Sequence, residues 1–317
     1  MTKPAVLVLA WMPEGVLPRL AAEFTDFDMI DVGDAKVFDR EFCRAQITYG
    51  LPPLARLSEG RELKWIQLIS AGVPRELCPV ARKLGLTITN LKGLYGTSLA
   101  QHVLAIMLIL ARNLHTVMRN QQERKWDRAV ARCMTDLQGQ TLGIVGLGNI
   151  GREIARFGRS LGMQVTGCRR TAKPTFGVDR VYDLTELGQM LGEADFLIVA
   201  APLTAMTEGM LGPAEFAAMK RGIIYINISR GAVAQEAALL AALDSGKVAA
   251  AGLDVFAAEP LPPDHPLWSY PQVIISPHYS GEVINNSATP AERFARNLRA
   301  WGAGRRMEGL VDLEWGY

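Results

Sequence analysis

Short apolar runs alternate with helix-period stretches along most of the chain. Ala5-Val6-Leu7-Val8-Leu9-Ala10 has the unbroken apolar character of a strand buried on both faces. Ala45–Gly50, Trp65–Ile69 and Thr87–Thr89 read as further strands, with helical stretches at Leu17–Glu23 and Pro79–Leu84 between them. Such alternation implies a parallel sheet with helices on both faces. The first ~95 residues therefore form an α/β unit, a length suited to a small domain.

A long apolar-rich helix is predicted from about Leu99 to Arg119, with Ser98 and Gln101 spaced as a capping box. Ala105, Ile106, Leu108, Ile109 and Leu110 leave it little polar surface, which predicts burial against another domain or subunit. Asn120–Gln138 is polar and reads as a connection. Beyond it, strands are predicted at Thr141–Gly146, Met163–Gly167, Phe196–Ala200, Gly222–Ile228, Val248–Leu253 and Val273–Ser276. Helical pieces at Pro213–Met219 and Leu239–Leu243 lie between them, so residues 98–285 form a second doubly wound parallel-sheet domain. A last helix is expected over Ala288–Gly302, and Leu310–Tyr317 closes the chain.

The strand ends in Gly146, the first residue of Gly146-Leu147-Gly148-Asn149-Ile150-Gly151, which leads directly into a helical pattern. Each glycine of that spacing has a physical task. Gly146 permits the tight turn, Gly148 lets backbone approach a pyrophosphate, and Gly151 lets helix and strand pack closely. The pyrophosphate would rest on the free N–H groups and positive dipole end of the helix, around Asn149 and Ile150. Strand before and helix after supply the context the motif requires. This is a dinucleotide site.

An NAD-type site usually places a carboxylate about 20 residues further on, accepting from the ribose hydroxyls. Here that strand ends Cys168-Arg169-Arg170-Thr171, with Lys173 beyond and no acid present. A carboxylate would repel a 2′-phosphate, whereas a guanidinium pairs with it in two-point geometry. The expected cofactor is NADP(H), with NAD(H) as the alternative.

Composition narrows the function classes. The chain has 317 residues, of which 49% are hydrophobic, enough for two cores. Its net charge of +2, from 34 basic and 32 acidic residues, gives no nucleic-acid footprint. Four scattered cysteines (Cys43, Cys78, Cys133, Cys168) without a Cys-x-x-Cys pair fit a reducing compartment and argue against disulfides or a metal site. The apolar run Val103–Ala111 is too short to span a bilayer, and the N-terminus makes a poor signal peptide. The expectation is a cytoplasmic protein with neither membrane nor nucleic-acid partner.

Three stretches follow predicted strands, at the carboxyl edge where parallel sheets bind ligands. They are Asn227-Ile228-Ser229-Arg230-Gly231, Gly252-Leu253-Asp254 through Glu259-Pro260, and Ser276-Pro277-His278-Tyr279-Ser280. Reducing a 2-oxo acid requires a cation to hold carboxylate and carbonyl, a proton donor for the developing alkoxide, and a hydride source. Arg230 supplies the cation, because its fork matches both oxygens. His278 supplies the proton near neutrality and serves as base in the oxidative direction. Glu259, on the other imidazole nitrogen, would orient the ring and stabilise its charged form.

In that order and context the chain resembles the D-isomer-specific 2-hydroxyacid dehydrogenases, over nearly its whole length. Further motifs carry the likeness: Ala201-Pro202-Leu203-Thr204 with Thr207, Asn90 to Gly96 leading into Ala100-Gln101-His102, and Ser70-Ala71-Gly72-Val73. The resemblance implies Arg230, Glu259 and His278 as the catalytic trio. It implies that Pro202, Thr207, Ile228 and Asp254 lie beside the cofactor, with Asp254 near the nicotinamide amide, and that backbone at Ala71 and Gly72 receives the substrate carboxylate. It further implies a Rossmann dinucleotide domain over 98–285, a smaller flavodoxin-like substrate domain from 1–97 plus 286–317, a cleft between them, and a homodimer built around the long helix. The departures are Gln101 where many relatives carry Glu, Arg169 where many carry Asp, and Tyr279-Ser280 where smaller or aliphatic residues are common. Retention of Glu259 speaks against the formate-oxidising branch.

The leading expectation is an NADPH-preferring reductase of glyoxylate or hydroxypyruvate. The alternatives are an NAD-linked dehydrogenase of a bulkier D-2-hydroxy acid and a non-catalytic dinucleotide-sensing regulator. His102, His115 and His265 read as packing, surface or loop residues, and Trp126 as a core residue, with reach into a partner subunit's active site, as the resemblance implies, the alternative.

Overall fold

The computed structural model describes residues 3–281 and 290–317. Contacts divide them into two compact units, residues 3–94 with 290–317, and residues 95–281. Both are α/β with all-parallel sheets, the two-domain Rossmann-type architecture.

In the first unit the apolar runs fold as β1 (Ala5–Val8), β3 (Ala45–Tyr49), β4 (Trp65–Gln67) and β5 (Thr87–Thr89). An additional strand, β2 (Asp28–Asp31), was not evident from the pattern, because Asp-Met-Ile-Asp is polar at both ends and pairs only with β1 at the sheet edge. The order β2-β1-β3-β4-β5 is that of flavodoxin-like sheets. Helices α1 (Val16–Glu23), α2 (Ala35–Glu41) and α3 (Leu77–Leu84) cover it.

The second unit opens with two helices in place of the single long one. α4 (Gly96–Ala111) and α5 (Leu114–Gln122) meet at Asn113, whose φ of 53° ends the first helix, and the pair is bent by 69°. The capping box is also absent, since α4 begins at Gly96 with no side-chain cap, and Ser98 and Gln101 fall inside the helix. Leu99, Val103, Ile106, Met107 and Leu110 are buried in one cluster with Leu142, Ile144, Ile198 and Ile226 of the sheet. The contact is close, for a Cβ on Gly252 would lie 2.3 Å from Ile106 Cγ2. Burial stops there, because α5 has no buried residue and Leu114, Val117 and Met118 are exposed. No single helix among the described residues is long and apolar enough to cross a membrane.

β6 (Thr141–Val145), α6 (Asn149–Ser160), β7 (Gln164–Cys168), β8 (Arg180–Tyr182), α7 (Leu187–Glu193), β9 (Phe196–Val199), α8 (Pro213–Ala218), β10 (Ile223–Asn227), α9 (Glu236–Asp244), β11 (Val248–Leu253) and β12 (Val273–Ile275) complete this unit. The strand order β12-β11-β10-β9-β6-β7-β8 reverses direction between β6 and β9, which makes their carboxyl ends the switch point.

The chain then returns to the first unit as α10 (Pro290–Gly302); the expected start at Ala288 lies outside the described residues. Phe294 of α10 packs on Tyr49 and Trp65, with ring centroids 5.1 and 5.5 Å apart. A buried polar ladder ties the return in place: Trp65 Nε1 donates to Thr89 Oγ1, Thr89 to Gln67 Oε1, and Asn297 Nδ2 to the same Gln67 oxygen. Every member has a partner, which is what makes buried polar groups tolerable.

Candidate active site

The glycine loop follows β6 at the switch point, and the backbone explains Gly146 and Gly151. Gly146 has φ 100°, and a Cβ there would meet Ala201 N at 2.6 Å, where the ends of β6 and β9 approach. A Cβ on Gly151 would lie 2.0 Å from the Gly146 carbonyl oxygen, so only glycine lets α6 start this close to β6. Gly148 has nothing within 4 Å, leaving open space over the first turn of α6. Intrahelical bonding begins with Arg152 N to Gly148 O, so the N–H groups of Asn149, Ile150 and Gly151 stay available. This donor set and opening fit a dinucleotide pyrophosphate.

Beside the loop, Gly146 N donates to Cys168 O at 2.8 Å, which fixes the end of β7. Arg169 follows at once, and its guanidinium has no partner among the described residues. Arg170 is exposed next to it. Burial pushes the Cys168 thiol up to about 12, so it is no nucleophile at neutral pH.

At the end of β9, Thr207 Oγ1 donates to Pro202 O at 2.5 Å and accepts from Thr204 N at 2.8 Å. Its hydroxyl thus closes the 202–207 loop internally. Ile228 is buried at the end of β10. Asn227, also buried, donates through Nδ2 to Arg230 O and accepts from Ser229 N and Oγ, forming the turn that presents Arg230. A Cβ on Gly231 would sit 2.0 Å from the Phe256 carbonyl carbon, so the Arg230 turn rests on the loop that follows β11.

That loop carries Glu259. Its Oε1 accepts from Phe256 N at 2.9 Å, and its Oε2 lies 2.7 Å from His278 Nδ1. His278 is a non-glycine residue at φ 50°, a conformation that the surroundings must enforce. The enforcing group is Asp254, fully buried at the end of β11. It accepts from Ser276 Oγ at 2.6 Å, from Tyr279 N and Ser280 N at 3.2 Å each, and from Ser280 Oγ. Four donors fill the four lone-pair directions of a carboxylate.

The model for the D-isomer specific 2-hydroxyacid dehydrogenase NAD binding domain matches residues 104–280. A glyoxylate reductase from Korarchaeum cryptofilum is 32% identical over 98% of this chain and 97% of its own. The chain belongs to the D-isomer specific 2-hydroxyacid dehydrogenase family. It is an NAD(P)-dependent D-2-hydroxyacid dehydrogenase or 2-oxoacid reductase. A D-3-phosphoglycerate dehydrogenase from Bacillus subtilis is 32% identical over 95% of this chain and 57% of its own. Among solved structures, a family member from Xanthobacter autotrophicus in complex with NADPH and MES superposes with a TM-score of 0.85 at 29% identity, covering all of both chains.

Two residues depart from what the pattern predicted. His102, read as packing or surface, is wired to the His278 loop: its Nε2 lies 3.3 Å from Ser276 Oγ and 4.0 Å from Asp254 Oδ1. Its ring also meets Tyr279 edge-on at 5.4 Å. Helical periodicity put His102 on α4 but held no information about which strand end that face meets. Trp126, read as core, is 93% exposed.

In the first unit, Ala71 and Gly72 lie in the turn after β4, where three consecutive carbonyls are tied down. Leu91 N donates to Ser70 O at 2.9 Å, Asn90 Nδ2 to Ala71 O at 2.7 Å, and Ser70 Oγ to Gly72 O at 2.7 Å. The N–H groups of Ala71, Gly72 and Val73 have no partner among the described residues. A run of free backbone N–H groups is an anion-binding arrangement.

Proposed function

We propose that this protein reduces a small 2-oxo acid, glyoxylate or hydroxypyruvate, to the D-2-hydroxy acid with NADPH. The observation that carries the reading is the Glu259–His278 pair at 2.7 Å, held on a loop fixed by Asp254. Arg230 pairs with the substrate carboxylate and draws charge toward the carbonyl oxygen. Glu259 keeps the proton on His278 Nδ1, so that Nε2 faces the substrate and gives its proton to the oxygen as the carbonyl becomes an alkoxide. The nicotinamide cofactor, when bound, supplies the hydride to the carbonyl carbon. In the reverse direction the neutral imidazole takes the hydroxyl proton.

Gly146, Gly148, Asn149, Ile150 and Gly151 hold the pyrophosphate, with Pro202, Thr207 and Ile228 shaping the loops beside it. With its own lone pairs filled by protein donors, Asp254 serves the nicotinamide side through the loop it fixes. Arg169 and Arg170 pair with a 2′-phosphate; the unpartnered Arg169 guanidinium supports NADP(H) over NAD(H), as does the NADPH-bound relative. Backbone N–H groups of Ala71 and Gly72 receive the substrate carboxylate. The exposed apolar row Leu114, Val117 and Met118 supports a homodimer. Four unpaired cysteines fit the cytoplasm.

The test is initial rates of NADPH and NADH oxidation with glyoxylate, hydroxypyruvate, pyruvate and phenylpyruvate. Faster turnover of the two small polar acids with NADPH is expected. NADH preference, or activity with phenylpyruvate alone, would discard the cofactor and substrate assignments, and no turnover with any acid would discard the reductase reading.

A further inference from the structure

We infer that Asn90 is a positioning residue for the substrate carboxylate, acting through the Ala71–Gly72 peptide. This rests on the reading that the 71–73 turn receives that carboxylate. In a planar trans peptide the carbonyl of one residue and the N–H of the next point in opposite directions. Asn90 Nδ2 holds the Ala71 carbonyl at 2.7 Å, and that single bond aims the Gly72 N–H away from Asn90. The neighbouring peptides are tied as well, by Leu91 N on Ser70 O and by Ser70 Oγ on Gly72 O. With all three carbonyls engaged, three N–H groups are presented together, and Asn90 supplies the one side-chain donor that reaches the turn from the body of the unit.

Asn90 is itself held at its other polar atoms. Its Oδ1 accepts from Lys92 N at 3.1 Å, and its backbone N donates to Gly309 O at 2.9 Å. A Cβ on Gly309 would lie 2.2 Å from Asn90 O, so the C-terminal return seats Asn90 closely. Because the side chain is buried, it does not touch substrate; its effect passes through the peptide it orients.

The experiment compares wild type, Asn90→Ala and Ser70→Ala in steady-state kinetics with glyoxylate, in inhibition by oxalate, in NADPH affinity and in thermal melting. Asn90→Ala is expected to raise KM and the oxalate inhibition constant together by roughly tenfold, the effect of one charge-assisted hydrogen bond, with kcat and NADPH affinity little changed. Ser70 is exposed, so Ser70→Ala leaves folding intact and is expected to raise the same two constants by a smaller factor. Unchanged KM and oxalate inhibition in both variants, with oxalate inhibiting wild type, would overturn the role of Asn90 alone. A proportional loss of kcat, NADPH affinity and melting temperature in Asn90→Ala, with Ser70→Ala silent, would make Asn90 merely structural. Failure of oxalate to inhibit the wild type at all would overturn the carboxylate reading of the turn and this inference with it.

Discussion

Glu259 is held at both carboxylate oxygens, one on Phe256 N and the other 2.7 Å from His278 Nδ1. The second contact is therefore directional, and it leaves Nε2 as the nitrogen to which the proposed reduction assigns the proton exchange with substrate. Glu259→Gln preserves size and the Phe256 contact but removes the charge that stabilises an imidazolium. We expect kcat for 2-oxo acid reduction to fall by about a hundredfold, within the usual range for impaired general acid–base catalysis, with NADPH affinity unchanged. An unaltered kcat would detach Glu259 from proton transfer.

The glycine loop separates two effects that are usually confounded. A Cβ on Gly151 would strike the Gly146 carbonyl at 2.0 Å, whereas one on Gly148 meets nothing within 4 Å. Gly151→Ala should therefore lower the melting temperature of the protein without cofactor, at a cost of about 1–3 kcal/mol for overpacking. Gly148→Ala should melt like wild type and lose cofactor affinity, because the methyl group occupies the space over α6. Equal melting temperatures for the two variants would contradict the geometry.

The three stretches carrying Arg230, Glu259 and His278 were legible as neighbours because strand ends in a parallel sheet converge at one edge, so that order along the chain translates into proximity. Gly146 and Gly151 were readable for a different reason, since each answers a local backbone demand. What escaped was long-range or marginal. His102 reaches Ser276 across 174 positions of sequence, a contact that no period contains. β2 is an edge strand too short and polar to pattern, and the break at Asn113 depends on one left-handed residue inside an otherwise helical run. The exposure of Trp126 overturns its core reading alone, because hydrophobicity cannot distinguish a core side chain from an exposed one.

In the proposed function cofactor choice turns on Arg169, at the end of β7 and next to the glycine loop through the Gly146 N to Cys168 O bond. Replacing it with Asp puts negative charge where a 2′-phosphate would pair and offers an acceptor to a ribose hydroxyl. Arg169→Asp should raise the Kd for NADPH at least tenfold, as expected for losing a bidentate charged pair, and shift kcat/KM toward NADH. NADPH binding at wild-type strength would place the phosphate contact on other residues.

His102 links acidity to the catalytic loop. Ser276 Oγ gives its hydrogen to Asp254, so His102 Nε2 must carry the proton in its contact with Ser276. Burial holds the His102 pKa below the ordinary histidine value, with Asp254 opposing that shift. The folded state thus takes up the second imidazole proton less readily than the unfolded chain. Stability is full above the ordinary histidine pKa of ~6.5 and declines as pH falls from there toward the lowered folded value. His102→Gln keeps a donor for Ser276 and cannot titrate. Melting curves from pH ~7.5 to pH ~5.5, spanning the histidine range, should show a smaller decline for His102→Gln than for wild type. Parallel declines would assign the acid sensitivity to other groups and leave His102 as a packing contact for Tyr279.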